Sequence, residues 1–404
     1  MVKVEGLGAL RAVVGAEHVI DSGETLETLS KDFYWYSPVL KRQIADRKAD
    51  AIIRPGTREE AARVMAEAFK AGVPVVARGA GTGNYGQCVP LYGGWVIDLS
   101  RLDRIHSVDG VVRCEPGARM GTIETLARAA GWELRCMPST WMKCTLGGFL
   151  SGGSGGIGSI TWGGINAPGN VKSLTLMTCE AEPRLLRLEE EDCLRALHTY
   201  GTTGIVVEIE MRLAPKIDYE QLALTSPDWE ALLAWTDAAA RNSGWRKRLV
   251  TQFEAPIPGF FKPLRRHLPE NRHASFLLIE RARAAEAAES ALAAGLAVSF
   301  RQPLPDPPRP PFLTDYTWNH TTLWAMQAEP DITYLQAGFA PNFREQFAAL
   351  QGRFPGEILL HLEWTVGNAK MLRGGAELIN PDPVVVGGIP LVRFRGEERL
   401  NEIL

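Results

Sequence analysis

Closely spaced cysteine pairs are missing from this chain of 404 residues. Its six cysteines, Cys88, Cys114, Cys136, Cys144, Cys179 and Cys193, are scattered with no C-x-x-C among them. That removes the usual zinc and iron–sulfur ligand sets and leaves reduced, mostly buried thiols as the expectation. No apolar run approaches the length of a membrane span, and the opening Met1-Val2-Lys3-Val4-Glu5-Gly6 lacks the charged and apolar regions of a signal peptide. A cytoplasmic location is therefore expected. A net charge of −3 offers no broad attraction to nucleic acid or acidic lipid. Fixed-period repeats are absent, and the only biased segment is a proline-rich connection at 303–311. With 45% hydrophobic and 23% charged residues, the composition is that of a globular protein, and the length suits two domains.

Glycine is what the chain has, and it is clustered. Residues 73–98 read VPVVARGAGTGNYGQCVPLYGGWVID: an apolar run, a cluster holding Gly79, Gly81, Gly83 and Gly86, and a second apolar run. Such backbone can fold back and aim several N–H groups at one anion, which reads as a pyrophosphate cradle. Gly81-Thr82-Gly83-Asn84-Tyr85-Gly86 spells G-x-G-x-x-G, but a Rossmann turn must open a helix. Here Gln87-Cys88-Val89-Pro90-Leu91-Tyr92-Gly93-Gly94 follows, with a proline, a Gly-Gly pair and no helical period. The expectation is strand, glycine loop, strand; the competing reading is an ordinary glycine-rich hairpin.

Around this centre, Asp32-Phe33-Tyr34-Trp35-Tyr36 is an aromatic lead-in and 49–54 a short strand. Thr57-Arg58-Glu59-Glu60 predicts a capping box for a helix with Ala61, Val64, Met65 and Ala68 on one face, ending at Gly72. Further on come a strand at 111–115, a helix at 122–130, and a second glycine cluster from Pro138-Ser139-Thr140 to Gly158, read as a packed loop lying against a ligand. Residues 171–178 and 185–188 predict a hairpin, and 205–213 a strand with strict alternation. The first domain closes near Pro215. Beyond it, helices at 229–242, 282–294 and 343–353, the last capped by Asn342, alternate with strands at 249–254, 274–280, 297–300, 332–339 and 357–364. That grammar predicts a small α+β sheet with helices on one face.

Together these pieces resemble one family. Pro55 with its capped helix, Ala77-Arg78-Gly79-Ala80-Gly81-Thr82-Gly83, Val96-Ile97-Asp98-Leu99-Ser100, Glu115-Pro116-Gly117, Pro138-Ser139, Thr145-Leu146-Gly147-Gly148 and Gly201-Thr202-Thr203-Gly204-Ile205-Val206 look like successive signatures of the vanillyl-alcohol oxidase/p-cresol methylhydroxylase (PCMH-type) flavoproteins. Their order over residues 45–215 makes the match specific. The resemblance implies an α+β protein: a two-subdomain PCMH-type FAD-binding domain at 1–215, an α+β cap domain with an antiparallel sheet at 216–370 covering the isoalloxazine, and a tail at 371–404, with Glu377-Leu378-Ile379-Asn380-Pro381, returning to the FAD domain. The nearest relatives it suggests are glycolate oxidase flavin subunits and D-lactate dehydrogenases.

Carried over residue by residue, the resemblance implies that Arg78, Gly79, Ala80, Gly81, Thr82, Gly83 and Asn84 hold the pyrophosphate, largely by backbone N–H groups. Pro138, Ser139, Thr145, Gly147, Gly148, Ser154, Gly155 and Ile157 would line the flavin and its ribityl chain. Ile205 and Val206 would present backbone groups to the adenine or the nearby pyrophosphate. Two departures bear on the chemistry. Thr82 stands where some members attach FAD through histidine, and Cys144 stands one residue away from where others use cysteine, so noncovalent FAD is expected. Leu360-His361-Leu362-Glu363-Trp364-Thr365-Val366-Gly367-Asn368 keeps one histidine of the family's metal-binding segment and loses its partner, so no metal is assigned.

Of the seven histidines, His320 and His361 fall in cap segments that look packed, and a histidine suits proton removal from a substrate hydroxyl while the flavin takes a hydride at N5. His361 and Glu363, two apart on a strand, would face one side and, together with His320, form either a base with an orienting carboxylate or a metal site. A hydrogen-bonded structural histidine is the competing reading. Trp318, Tyr334 and Trp364 are candidate pocket walls or core, and Arg344 and Arg373 candidate partners for a substrate carboxylate or solvent-facing residues. The sequence thus reads as an FAD-dependent oxidoreductase acting on a small alcohol or 2-hydroxy acid, with oxygen, a quinone or a protein as electron acceptor. Two alternatives are a flavin-binding subunit of a larger complex and a flavin-binding protein that has lost catalysis.

Overall fold

The computed structural model describes residues 6–306, 312–367, 370–373, 376–379 and 383–404, with 370–373 and 376–379 described as backbone. Two compact units divide the chain: 1–154 with 168–215, and 155–167 with 216–404. The short stretch 155–167, part of the second glycine cluster, therefore groups by packing with the later residues, and so do the residues after 371.

The first unit opens with helices α1 (Leu7–Val14), α2 (Gly23–Leu29) and α3 (Pro38–Ile44), none of which the sequence reading anticipated. Its first sheet has four strands ordered β1 (Val19–Ile20), β2 (Ala51–Ile53), β4 (Trp95–Asp98) and β3 (Val75–Arg78). β2, β4 and β3 are parallel neighbours, so the glycine loop joins two parallel strands rather than closing a hairpin. Helix α4 (Arg58–Ala71) packs Ala61, Val64, Met65 and Ala68 against Ile53 and Ile97. Thr57 Oγ1 accepts from Glu60 N at 3.1 Å, Glu60 reaches back to Gly56 N at 2.7 Å, one residue before the cap, and Gly72 ends the helix at φ 64°.

The second sheet of this unit runs β5 (Ile105–Val108), β6 (Val111–Cys114), β10 (Ile205–Pro215), β8 (Val171–Met177) and β9 (Leu185–Glu189), with β7 (Trp132–Leu134) on the far end of β10. All its pairings are antiparallel. Helix α5 (Met120–Ala129) precedes β7, and α6 (Leu146–Gly152) occupies the middle of the second glycine cluster. That cluster was expected to be a packed loop. Instead Thr145 caps a helix, its Oγ1 accepting from Gly148 N at 3.3 Å.

In the second unit, a short helix α7 (Ser159–Trp162) lies on a seven-stranded antiparallel sheet ordered β14 (Ala297–Pro303), β11 (Tyr219–Ser226), β13 (His273–Glu280), β12 (Lys247–Phe253), β18 (His361–Val366), β21 (Val384–Gly388) and β16 (Ala337–Gly338). Helices α8 (Trp229–Arg241), α9 (Arg281–Ala293) and α11 (Phe343–Arg353) bury one face of it with Leu222, Leu224, Val250, Leu277, Ile279, Leu362 and Trp364. Asn342 precedes α11 but does not cap it: its backbone is not extended (φ −87°, ψ 35°), and its amide donates to Glu345 instead. Helix α10 (Asn319–Ala328) sits in an aromatic block that includes Tyr316, Trp318 and Trp324. Residues 332–339 and 357–364, each expected as one strand, are each broken in two. β15 (Ile332–Tyr334) and β17 (Ile358–Leu359) flank β22 (Leu391–Arg393) in a separate three-stranded sheet. The second break comes at Leu360, whose N–H and carbonyl are both taken by Glu254 at 2.8 Å. β19 (Lys370–Arg373) pairs with β20 (Ala376–Ile379), and α12 (Glu397–Ile403) is the last element.

Candidate functional site

In the first unit the glycine loop leaves the end of β3. Among the described residues, the N–H groups of Ala80, Gly81, Thr82, Gly83 and Asn84 have no protein acceptor. Arg78 turns underneath, only 7% exposed, with Nη1 donating to Lys31 O at 2.7 Å and to Cys88 Sγ at 3.3 Å, and with Nε unpartnered. Gly81, at φ 66°, is glycine because a Cβ there would stand 2.0 Å from Arg78 Nη2. The loop is thus a row of half-buried N–H donors over a buried guanidinium, an arrangement suited to an anion.

The second cluster meets the first. A Cβ on Gly79 would lie 2.2 Å from Thr145 Oγ1 and 3.5 Å from Gly148 Cα, and one on Gly147 would strike Pro116 at 2.5 Å. Just before α6, Pro138 O accepts from Trp141 N at 3.0 Å, and Ser139 is buried. At the other end of α6, His198 N and Tyr200 N donate to Leu150 O and Ser151 O, at 3.1 and 3.0 Å, and a Cβ on Gly201 would be 3.4 Å from Ala77 Cβ. Ile205 and Val206, opening β10 after Gly204, are both buried. Cys144 is buried with Sγ 3.3 Å from Met120 Sδ, and burial pushes its thiol up to about 12. A thiol held that far from ionisation is a poor nucleophile.

Residues 155–167 are fastened within the second unit. Gly158 N donates to Arg248 O at 2.6 Å, Thr161 Oγ1 to Lys247 O at 2.6 Å, and Ile157 is fully buried. A Cβ on Gly155 would lie 2.9 Å from the indole of Trp318. On the sheet face opposite Leu362 and Trp364, His361 Nε2 and Glu363 Oε1 are 2.9 Å apart, at 0% and 2% exposure. Glu363 Oε1 also accepts from Trp318 N at 2.8 Å, which holds Trp318 at φ 53°, a conformation costly for a bulky side chain. The His361 ring stacks on Phe253 at 4.8 Å, and Thr321 Oγ1 is 3.5 Å from Nε2. His361 Nδ1 and Glu363 Oε2 are buried without partners.

His361 and Glu363 are therefore together. The residue of α10 that reaches them is Thr321, while His320 stands half-buried in the first turn of that helix. Trp364 belongs to the helix-covered core, its Nε1 donating to Asp237 at 2.9 Å, and Tyr334 is buried in β15. Arg344 pairs with Glu230 at 3.7 Å. The side chains of Arg373 and of 377–381 lie outside the described residues. Among the described residues no three His, Cys, Asp or Glu side chains gather as metal ligands, and no helix is long and apolar enough to cross a membrane. Sequence reasoning missed Lys31 and Phe33, whose backbone groups bond Arg78 and Gly83, and Trp318's backbone, for which no local sequence signal exists.

Fold and loops together are those of an α+β protein with a glycine-rich loop of free N–H donors. Residues 49–186 match the family described as FAD binding domain. The chain is 27% identical over 186 residues to the glycolate oxidase subunit GlcD of Escherichia coli K12, covering 44% of this chain and 37% of that protein. It is 29% identical over 196 residues to D-2-hydroxyglutarate dehydrogenase of Xanthomonas citri pv. viticola, covering 45% and 41%, and 23% identical over 255 residues to the mitochondrial enzyme of that name from Arabidopsis thaliana, covering 60% and 43%. The matches thus span less than half the length of each of these relatives. In fold the chain is similar to alkyldihydroxyacetonephosphate synthase, with a TM-score of 0.71 at 14% identity, over 99% of this chain and 78% of that one. The chain thus carries a region similar to an FAD binding domain and resembles FAD-linked oxidoreductases.

Proposed function

We propose that this protein is an FAD-dependent oxidoreductase that oxidises a 2-hydroxy acid, or another small alcohol, at its CH–OH carbon. The observation that carries the reading is the meeting of Gly79 with Thr145 and Gly148, beside a loop whose N–H donors have no protein acceptor. Those residues fit FAD: a diphosphate is doubly anionic, and a planar ring needs walls without side chains. Arg78 to Asn84 would hold the diphosphate. Pro138, Ser139, Thr145, Gly147, Gly148, Ser154, Gly155 and Ile157 would line the ring and ribityl chain, and Ile205 with Val206 the adenine end. The cofactor is held noncovalently in this reading, consistent with Thr82 in the loop and the buried Cys144 thiol. Bound there, FAD supplies flavin N5 as acceptor for a hydride from the substrate carbon.

Most of the residues assigned to the cofactor belong to the first unit, and the candidates for the substrate proton to the second. An Nε2–H directed at Glu363 leaves Nδ1 of His361 as the basic nitrogen, so the carboxylate fixes the tautomer and Nδ1 takes the substrate hydroxyl proton. His320 is the second candidate for that proton. Anaerobic mixing with a panel of 2-hydroxy acids, polyols and aromatic alcohols, followed by flavin bleaching, tests the reading without presupposing an oxidant. A preparation made with FAD available that shows no flavin absorbance would count against it.

A second reading is favoured by the match to a protein named as a subunit: a flavin-binding chain whose electrons leave through a partner. Rapid turnover of the isolated chain with a soluble acceptor excludes an obligate partner.

A further inference from the structure

His361 is the first residue of β18, and the rung just before it is closed by a side chain. Phe253 and His361 stand opposite each other in the antiparallel ladder of β12 and β18, so the next pair is Glu254 with Leu360. Glu254 N donates to Leu360 O at 2.8 Å, as the ladder requires. The return bond has lost its backbone acceptor, because Glu254 O accepts from Ile257 N at 2.9 Å where the chain turns into the short 3₁₀ helix Ile257–Phe260. Leu360 is 0% exposed and cannot give its N–H to water; it donates to Glu254 Oε2 at 2.8 Å instead. Gln351, in α11, donates Nε2 to the other oxygen, Oε1, at 2.8 Å. The carboxylate of Glu254 thus stands in for its own carbonyl.

We infer that Glu254 is a positioning residue for His361: its carboxylate completes the last rung between β12 and β18, and so holds the imidazole flat on Phe253 with Nε2 on Glu363. The inference rests on the reading above of His361 as the proton acceptor. Glu254 acts through the Leu360 peptide and not on the ring. The ring is oriented by the face of Phe253 at 4.8 Å, by Glu363 Oε1 at 2.9 Å and by Thr321 Oγ1 at 3.5 Å. Phe253 and the backbone of His361 are both fixed by the rung that Glu254 closes, and on the far side His361 O accepts from Ile389 N at 3.0 Å. With the rung open, the ring slides over Phe253 and Nε2–H loses its alignment with Glu363, the bond that keeps Nδ1 basic. Misplacing a reacting group by about 1 Å can slow a reaction on the order of a hundredfold.

Full-length protein with ¹⁵N-labelled histidines reports the tautomer of His361 without flavin or substrate, its signals being those missing from His361→Ala. Wild type is expected to show the proton on Nε2, and Glu254→Ala signals averaged between the two tautomers. In FAD-loaded Glu254→Ala, anaerobic flavin reduction by the hydroxy compound that reduces wild type fastest should slow about ten- to a hundredfold, with flavin content unchanged. Glu254→Gln should restore both readouts, since its amide oxygen accepts from Leu360 N and its amide nitrogen donates to Gln351 once that side chain has turned over. Because Glu254 acts through His361, Glu254→Ala should cost nothing further in a His361→Ala background. An equal loss in both backgrounds, or wild-type histidine signals and rate in Glu254→Ala, overturns the inference. Should Glu254→Ala not fold, Glu254→Asp decides in its place: it keeps the charge but draws it back by one methylene from Leu360 N, and a wild-type spectrum and rate there overturn the inference too. Altered His361 signals in Glu254→Ala, with His361→Ala itself reduced at the wild-type rate, uphold the positioning and overturn the reading of His361 as the base instead.

Discussion

The two candidate regions are built on opposite principles. In the first unit the glycine cradle works by what is left out: a single carbon on Gly79, Gly81 or Gly147 would fall within 2.0 to 2.5 Å of another atom. In the second unit the His361–Glu363 pair works by what is put in, two polar side chains buried to 0% and 2% exposure. One region is broken by adding atoms, the other by removing them. The difference fits the tasks proposed for them, since a cradle needs close approach of backbone donors, whereas moving a proton needs a side chain that can hold it.

Removing His361 is the sharpest way to break that comparison. His361→Ala leaves Glu363 Oε1 with Trp318 N alone and takes the ring off Phe253. Loss of one partner of a buried pair costs about 3–5 kcal/mol. If Nδ1 takes the substrate proton, flavin reduction under anaerobic stopped flow should slow by about 10² to 10⁴. Glu363→Gln keeps an oxygen for Trp318 N and should retain stability better while still slowing reduction. Flavin content should stay near that of wild type in both. Reduction at the wild-type rate in His361→Ala would remove the residue from the reaction.

Gly79→Ala is the complementary break. The new methyl must displace Thr145 Oγ1, 2.2 Å away, from its cap on Gly148 N. The lost cap costs about 1 kcal/mol, and the two clusters must part. Flavin content after purification is expected to fall about tenfold, a change on the order of 1.4 kcal/mol in cofactor affinity, and the fold should survive by far-ultraviolet circular dichroism. A fully flavinated Gly79→Ala would show that the clusters need not touch.

How much of this was legible in the sequence also differs between the regions. The first cradle could be read because glycine density, a proline and a Gly-Gly pair exclude a helix after β3, and Thr57 and Gly72 bracket α4 with their own side chain and conformation. Helix α6 could not, because Gly147, Gly148 and Gly152 argue against a helix locally. It exists because Gly147 packs on Pro116, far away in sequence. The same holds for Leu360, where Glu254 diverts the backbone and splits one expected strand in two. The shared face of His361 and Glu363 followed from strand periodicity. That Thr321 and the backbone of Trp318 would complete their hydrogen bonds did not, since those contacts come from a helix hidden in an aromatic block. Family resemblance supplied roles that no spacing could, and it said nothing of the backbone of Lys31 and Phe33 that bonds the glycine loop.

Buried carboxyls sharpen the comparison further. Asp32 in the first unit accepts from Tyr34 N at 2.8 Å, whereas the carboxyl of Asp315, just before Trp318, is pushed up to about 6 by burial. Because its folded value lies above its usual 3.8, Asp315 favours the folded state fully at low pH, and that contribution is lost as pH rises through about 6. Asp315→Asn removes the cost of burying the charge. The variant should be more stable than wild type by about 1–2 kcal/mol at pH 8, with the gap closing toward pH 4, by denaturant unfolding across that range. A gap independent of pH would mean that Asp315 is not the group responsible.

The smallest effect should come from the one reactive side-chain type that borders the cradle. Cys144 precedes the cap Thr145, and a thiolate there could compete with the backbone as the means of holding FAD. Its surroundings argue otherwise: the thiol is buried against Met120 Sδ, and burial pushes it up to about 12, so almost none is ionised at neutral pH. Cys144→Ala should therefore leave flavin content and the reduction rate unchanged. The stability loss should be about 1 kcal/mol, that of a small buried group. Acid precipitation should release all flavin into the supernatant from wild type and variant alike. Flavin that stays with precipitated wild type but leaves precipitated Cys144→Ala would show a covalent bond at that sulfur, and the cradle would then owe part of its hold to a side chain after all.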